Sequence, residues 1–209
     1  MSIYLILGFL IWLYLISVLK RAQVPAFYFI VGSAGLFFIL IALSDPYWVW
    51  FFTHAVINGV RWVGTVTGMC TIMSHYGLVS INNPFNPLTM TIDYECSGII
   101  ETTAFVSLVA FFPLFNHHER VFFGLLGLLW IYLANVLRLA IVIVLVHFSG
   151  GQIFFFAHAI LGRLVFYILV IVLYYNVFTY SQISRNFYAA CVATLRRWQV
   201  NLHWGREKS

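Results

Sequence analysis

The sequence predicts an all-α integral membrane helical bundle of about five to six transmembrane helices, with an interfacial amphipathic helix and a small external β-hairpin. Three observations predict it. The chain of 209 residues is 63% hydrophobic and 8% charged, against about 25% charged in a soluble domain, and its mean hydropathy is +0.95. Its apolar residues fall in runs near the ~20 residues that cross a bilayer. Most of its positive charge lies at loops and in the tail, where it sets orientation, so the net charge of +5 does not point to nucleic acid. The whole chain, 1–209, reads as one membrane domain.

The first two spans, Ile3–Leu19 and Ala26–Leu43, occupy residues 1–46 and close on Lys20-Arg21 and Asp45-Pro46. The N-terminal stretch lacks a basic leader and a small-residue cleavage site, so it reads as a retained span. Residues 47–98 are mixed in character. Tyr47–Thr67 carries Trp48, Trp50, Phe51, Phe52 and Trp62 around a polar stripe of His54, Asn58, Arg61 and Thr65. Those spacings share one helical face, and an aromatic-rich amphipathic helix fits the outer interface or a partly submerged position. The segment is also long enough to cross, which would put the basic tail outside unless a second crossing followed. Thr71–Ile81 and Leu88–Glu95 read as the two strands of a hairpin. In the second, Leu88, Met90, Ile92 and Tyr94 alternate with polar residues, a period of two, and the Asn82–Pro87 segment between them is turn material.

Residues 99–178 hold the remaining spans. The first is Ile99–Leu114, followed by the polar loop Asn116–Arg120. The next apolar run, Val121–Phe148, is long for one span and fits a tilted helix, a broken helix, or two short helices meeting near Asn135. Ser149-Gly150-Gly151 is a turn, and Phe154–Phe178 is the last span. Residues 179–209 form a basic tail with Arg185, Arg196, Arg197, Arg206 and Lys208. The tail fits a helix on the cytoplasmic leaflet with Phe187, Trp198 and Trp204 toward lipid. With Lys20-Arg21 in the cytoplasm, five spans put every basic cluster inside and residues 47–98 outside.

The chemistry-bearing residues then gather at the outer face. Tyr94-Glu95-Cys96-Ser97-Gly98 stands just before a helix, whose N-terminus favours a thiolate, the reactive form of cysteine. Ser97 and Gly98 are small enough for another backbone to approach. Arg138 lies within an apolar run, where a charge is costly and is usually paired or faces a cavity. At 1.5 Å per residue it sits about 25 Å above Val121. Asn135, three residues earlier, shares its face and is placed to hold the guanidinium or to receive a substrate. His158 opens the last span, and Arg163 is a second charge five residues on. The plainer readings are a small buried cysteine, an arginine reaching outer headgroups and an interfacial histidine. Together, however, a thiol, an imidazole and a guanidinium meet the three needs of acyl transfer. These are a nucleophile, a proton carrier and a cation for the oxyanion.

The ordered set Glu-Cys-Ser-Gly before a span, Asn-x-x-Arg in a later span and His-x-x-x-Gly opening the last one resembles the exosortase/archaeosortase family of membrane transpeptidases. The resemblance covers about residues 48–175. It implies Cys96 as nucleophile, Arg138 as the essential arginine and His158 as the third member. Archaeal relatives place an arginine in the third role, and Arg163, close to that position but off it, is the reserve candidate. It further implies exported proteins with a C-terminal sorting signal as substrates, and a membrane lipid or surface group as acceptor. The active site would lie on the extracytoplasmic side of the cell membrane. The chain is short for that family, with two spans before the catalytic region, which resembles a compact, Gram-positive branch.

Two other readings compete. A transporter or channel component would use Arg138, Arg163 and His54 along a pathway, although no inverted repeat is apparent. A non-catalytic scaffold would form no covalent intermediate. Asp93, Glu95, Cys96, His54 and His75 match no standard zinc spacing, so neither a metal nor a cofactor is expected. The three cysteines, Cys70, Cys96 and Cys191, make no disulfide framework.

Overall fold

The computed structural model describes residues 3–44, 47–73, 78–83, 88–91 and 96–179. Glu95, Cys191 and the basic tail, with the surface helix expected there, lie outside them. Helices α1 (Ile3–Arg21) and α2 (Pro25–Leu43) form a hairpin. Pro25 starts α2 at a position where its missing N–H costs nothing. Helix α3 follows over Tyr47–Thr67, the range expected from its pattern. Strands β1 (Cys70–Met73), β2 (Leu78–Ile81) and β3 (Leu88–Thr91) make an antiparallel sheet in the order β1-β2-β3. Helices α4 (Ile99–Phe111) and α5 (His117–Ser149) come next. The last helix runs Phe156–Thr179. It opens with wide π-type turns over Phe156–Gly162, continues as α6 (Arg163–Tyr174) and ends in a second π-type stretch, Tyr175–Thr179.

Helix α2, helix α5 and the last helix are long and apolar enough to cross a membrane. The chain is therefore a largely helical membrane protein with a small three-stranded sheet. Helix α4 has 13 residues, about 20 Å at 1.5 Å per residue, and is shorter than a hydrocarbon core of about 30 Å. It stops ahead of the expected Leu114 because Pro113 excludes its predecessor from the helical region, and Phe112 is extended with ψ 121°.

The sheet corrects the expected hairpin. Met73 pairs with Leu78 and Cys70 with Ile81, so the segment read as one strand over Thr71–Ile81 is two strands paired with each other. A strand of 11 residues with no partner for half its length would leave backbone groups unpaired. Folding it on itself satisfies them.

Helix α5 decides between the alternatives for Val121–Phe148. It is one unbroken helix of 33 residues, about 50 Å long. Asn116 starts it with a capping box, its backbone N–H donating to Glu119 Oε2 at 2.8 Å, which satisfies a donor the helix cannot. Phe123, Gly127, Ile131, Asn135, Arg138, Val142 and Val146 form its buried stripe, while Leu125, Leu129, Leu133 and Leu137 are exposed along another. In a bilayer the leucine face meets lipid, and the buried face carries the two polar residues. At the far end, Asn83 Nδ2 donates to the carbonyls of Val146 and His147, each at 3.0 Å. This fixes the sheet over the C-terminal end of α5.

Helix α3 packs on β1 and α5 with Val56, Ile57, Val60 and Gly64 inward, and leaves Asn58, Arg61 and Thr65 of the expected polar stripe exposed. The rings of Tyr28 and Phe29 near the start of α2 touch Phe111 and Phe112 at the end of α4. Lys20 and Arg21, just before α2, therefore share one end of the bundle with His117–Arg120. The sheet and Cys96 stand at the other end.

Candidate active site

The buried stripe of α5 presents Asn135 and Arg138, 0% and 4% exposed, to two other segments. The first is the turn Cys96-Ser97-Gly98. Asn135 Nδ2 donates to the Cys96 carbonyl at 2.6 Å, so the backbone of the turn is tied directly to α5. The Ser97 hydroxyl accepts from the Ile99 N–H at 3.4 Å. Gly98 then turns the chain into α4 with φ +72°, a left-handed conformation that favours glycine. A Cβ there would meet Asn135 Nδ2 at 3.5 Å, an ordinary contact, so a Gly98→Ala variant bears conformational strain rather than a clash. We expect it to lose about 1–2 kcal/mol of stability, seen as a lower Tm in detergent, and to label more slowly at Cys96.

The second segment is the wide opening of the last helix. Such π-type turns are uncommon and concentrate at functional sites. Here they carry His158, whose Nε2 lies 3.4 Å from the Cys96 sulfur. The imidazole stacks on Phe154 with ring centroids 5.4 Å apart and an interplanar angle of 20°. Gly162 lets this helix close on α5. A Cβ there would stand 3.0 Å from the Ala157 carbonyl and 3.3 Å from Arg138 Cγ.

Arg138 completes the group. Its Nη2 donates toward the Cys96 sulfur at 3.6 Å, and its Cζ lies 5.8 Å from the centre of the Phe166 ring, within cation–π range. The sulfur of Cys96, a residue 3% exposed, thus has an imidazole nitrogen and a guanidinium within 3.6 Å, each delivered by a different helix. A thiol so placed can pass its proton to the imidazole. An oxygen on a carbon bonded to the sulfur would lie within reach of the guanidinium.

Of the residues singled out in the sequence, Cys96, Ser97, Gly98, Asn135, Arg138 and His158 come together. Arg163 is exposed, and the guanidinium at the sulfur belongs to Arg138. Glu95 lies outside the described residues. Asn135 does not hold the guanidinium, as expected in one reading; its amide nitrogen donates instead to the Cys96 carbonyl. Phe154 and Phe166 went unnoticed. Phe154 sits four residues before His158, a spacing that places two side chains together on a helix, and that was the available signal.

Cys70 is a useful contrast. It is buried in β1 against Gly64, and burial pushes its thiol up from the ordinary 9.0. The folded state therefore holds the proton more tightly than the unfolded chain. Its contribution is intact below pH 9.0 and is lost as pH rises above it. Alkylation at neutral pH should spare Cys70 while Cys96 reacts, which peptide-resolved mass spectrometry checks.

No protein-family model matches this chain. No curated protein and no solved structure matches it either.

Proposed function

We propose that the protein is a membrane cysteine transpeptidase or protease of the exosortase-like kind. It would cleave a C-terminal sorting signal from exported proteins through a Cys96 thioester and pass the acyl group to a membrane lipid or surface acceptor. The observation that carries this reading is the convergence of His158 and Arg138 on the sulfur of Cys96. In acylation the Cys96 thiol gives its proton to His158 Nε2 as the sulfur attacks the scissile carbonyl carbon. Arg138 stabilises the resulting oxyanion. The carbon–nitrogen bond then breaks, and the amine leaves with the proton from His158. An acceptor amine, or water, attacks the thioester and loses its proton to His158, which returns it to the departing sulfur.

The topology that fits this chemistry has five passes, formed by α1, α2, α4 with its following loop, α5 and the last helix. The basic end would lie in the cytoplasm. Arg138 stands 21 residues, or about 32 Å, beyond the start of α5, which, with a core of about 30 Å, supports a site at the outer face. Helix α3 and the sheet would lie there too, at the interface.

A charged maleimide that cannot cross the bilayer, applied to intact cells in a Cys191→Ser background, tests the reading. Cys96 should label from outside, and labelling should vanish in Cys96→Ala. In His158→Ala it should slow by at least ~10²-fold, the usual contribution of a general base. Labelling that requires permeabilisation would refute the outer-face site. A rate equal to that of an ordinary thiol and indifferent to His158 would refute the activated nucleophile.

A further inference from the structure

Two polar atoms beside Cys96 have no hydrogen-bond partner among the described residues. They are Asn135 Oδ1 and Arg138 Nε, on side chains that are 0% and 4% exposed. Buried polar atoms are nearly always paired, and each exception calls for a reason. The orientation of the Asn135 amide follows from its partner. Cys96 O can only accept, so the amino group faces it at 2.6 Å and the carbonyl oxygen is the atom left over. The leftover pair is therefore one acceptor and one donor, three residues apart on one helical face and next to the candidate nucleophile.

From this pair we infer that Asn135 and Arg138 form a subsite for a secondary amide, with Asn135 the residue that distinguishes the amide of the proposed donor from an ester. Asn135 Oδ1 accepts the N–H of the donor, and Arg138 Nε donates to a carbonyl oxygen. An ester offers only acceptors. It would leave Asn135 Oδ1 unpaired against another oxygen, and a buried group left unpaired in this way is a strong source of discrimination. The inference rests on the reading of Cys96 as nucleophile, and it assigns Asn135 two jobs: its amino group positions the turn and its carbonyl reads the substrate.

Two alkylating probes isolate the N–H. N-methyl-2-iodoacetamide and methyl iodoacetate carry the same reactive carbon and differ in N–H against O. Their second-order rate constants at Cys96 are measured by mass spectrometry on the full-length protein in vesicles, each divided by its rate with glutathione. The amide should be favoured at Cys96 by about tenfold or more, a difference of about 1.4 kcal/mol, and Asn135→Leu should remove the preference. A wild-type ratio equal to that of glutathione would overturn the inference without any variant, even if Asn135→Leu fails to fold. So would a preference that survives in Asn135→Leu. Should Cys96 prove fast and dependent on His158 yet blind to the N–H, the subsite falls and the nucleophile stands. If Cys96 reacts with neither probe faster than glutathione does, both fall.

Discussion

Cys96→Ala is expected to abolish acyl transfer while leaving the protein folded. Removal of the nucleophile from a set of groups that act as a unit costs on the order of 10⁴-fold or more, because the partners have nothing left to assist. The structural loss is small by comparison. The bond that ties this turn to α5 runs from Asn135 to the Cys96 carbonyl, and alanine keeps that carbonyl. Only the sulfur is lost, with its contacts to His158 and Arg138. Cys96→Ser should be nearly as inactive, since a hydroxyl at the same place is a far weaker nucleophile at neutral pH. The check is the hydroxylamine-sensitive acyl adduct on the protein, followed by intact-mass spectrometry beside a thermal melt in detergent. An adduct that persists in Cys96→Ala would move the nucleophile elsewhere.

The second large effect is expected at Arg138. Arg138→Met should lower the rate of Cys96 acylation by about 10²–10³-fold, the usual cost of one oxyanion donor, with the Tm held or raised. Methionine fills a similar volume over Phe166, and replacing a buried charge with a well-packed apolar group is often neutral or stabilising. Arg138→Lys should not restore the rate. A lysine places a single point of charge where the planar guanidinium now reaches the sulfur with one nitrogen and presents a second donor, Nε, alongside it. A variant that loses Tm in proportion to its rate would instead mark Arg138 as structural.

The helices were legible where composition changes sharply. Aromatic and polar residues interleave over Tyr47–Thr67, and α3 has those bounds. The fold of Thr71–Ile81 into two strands was not, since alternation reports a strand without saying where it turns back. Helix α5 was ambiguous because leucine and valine cover it on every side. Period 3.6 carries no information when both faces are apolar, and a bilayer removes the contrast on which such patterns depend. The same poverty of contrast made the site legible. In such a chain a cysteine beside serine and glycine, an Asn-x-x-Arg and a histidine near Gly162 stand out because a polar group in hydrocarbon needs a reason. The rings of Phe154 and Phe166 could not stand out, as the chain has 21 phenylalanines and only their neighbours in space distinguish these two.

The division of the site between helices has a mechanical consequence. Asn135 and Arg138 ride on one rod, and the first of them grips the backbone of Cys96. Cys96 itself belongs to the turn that opens α4, and this bond couples that turn to α5, so thiol and cation are held to one another across the α4–α5 pair. His158 travels on the last helix and meets this group at the sulfur. On the proposed chemistry, proton transfer therefore depends on the register between the last helix and that pair. Parting the last helix from it by the width of a carbonyl would expose the sulfur and separate it from His158 in the same movement.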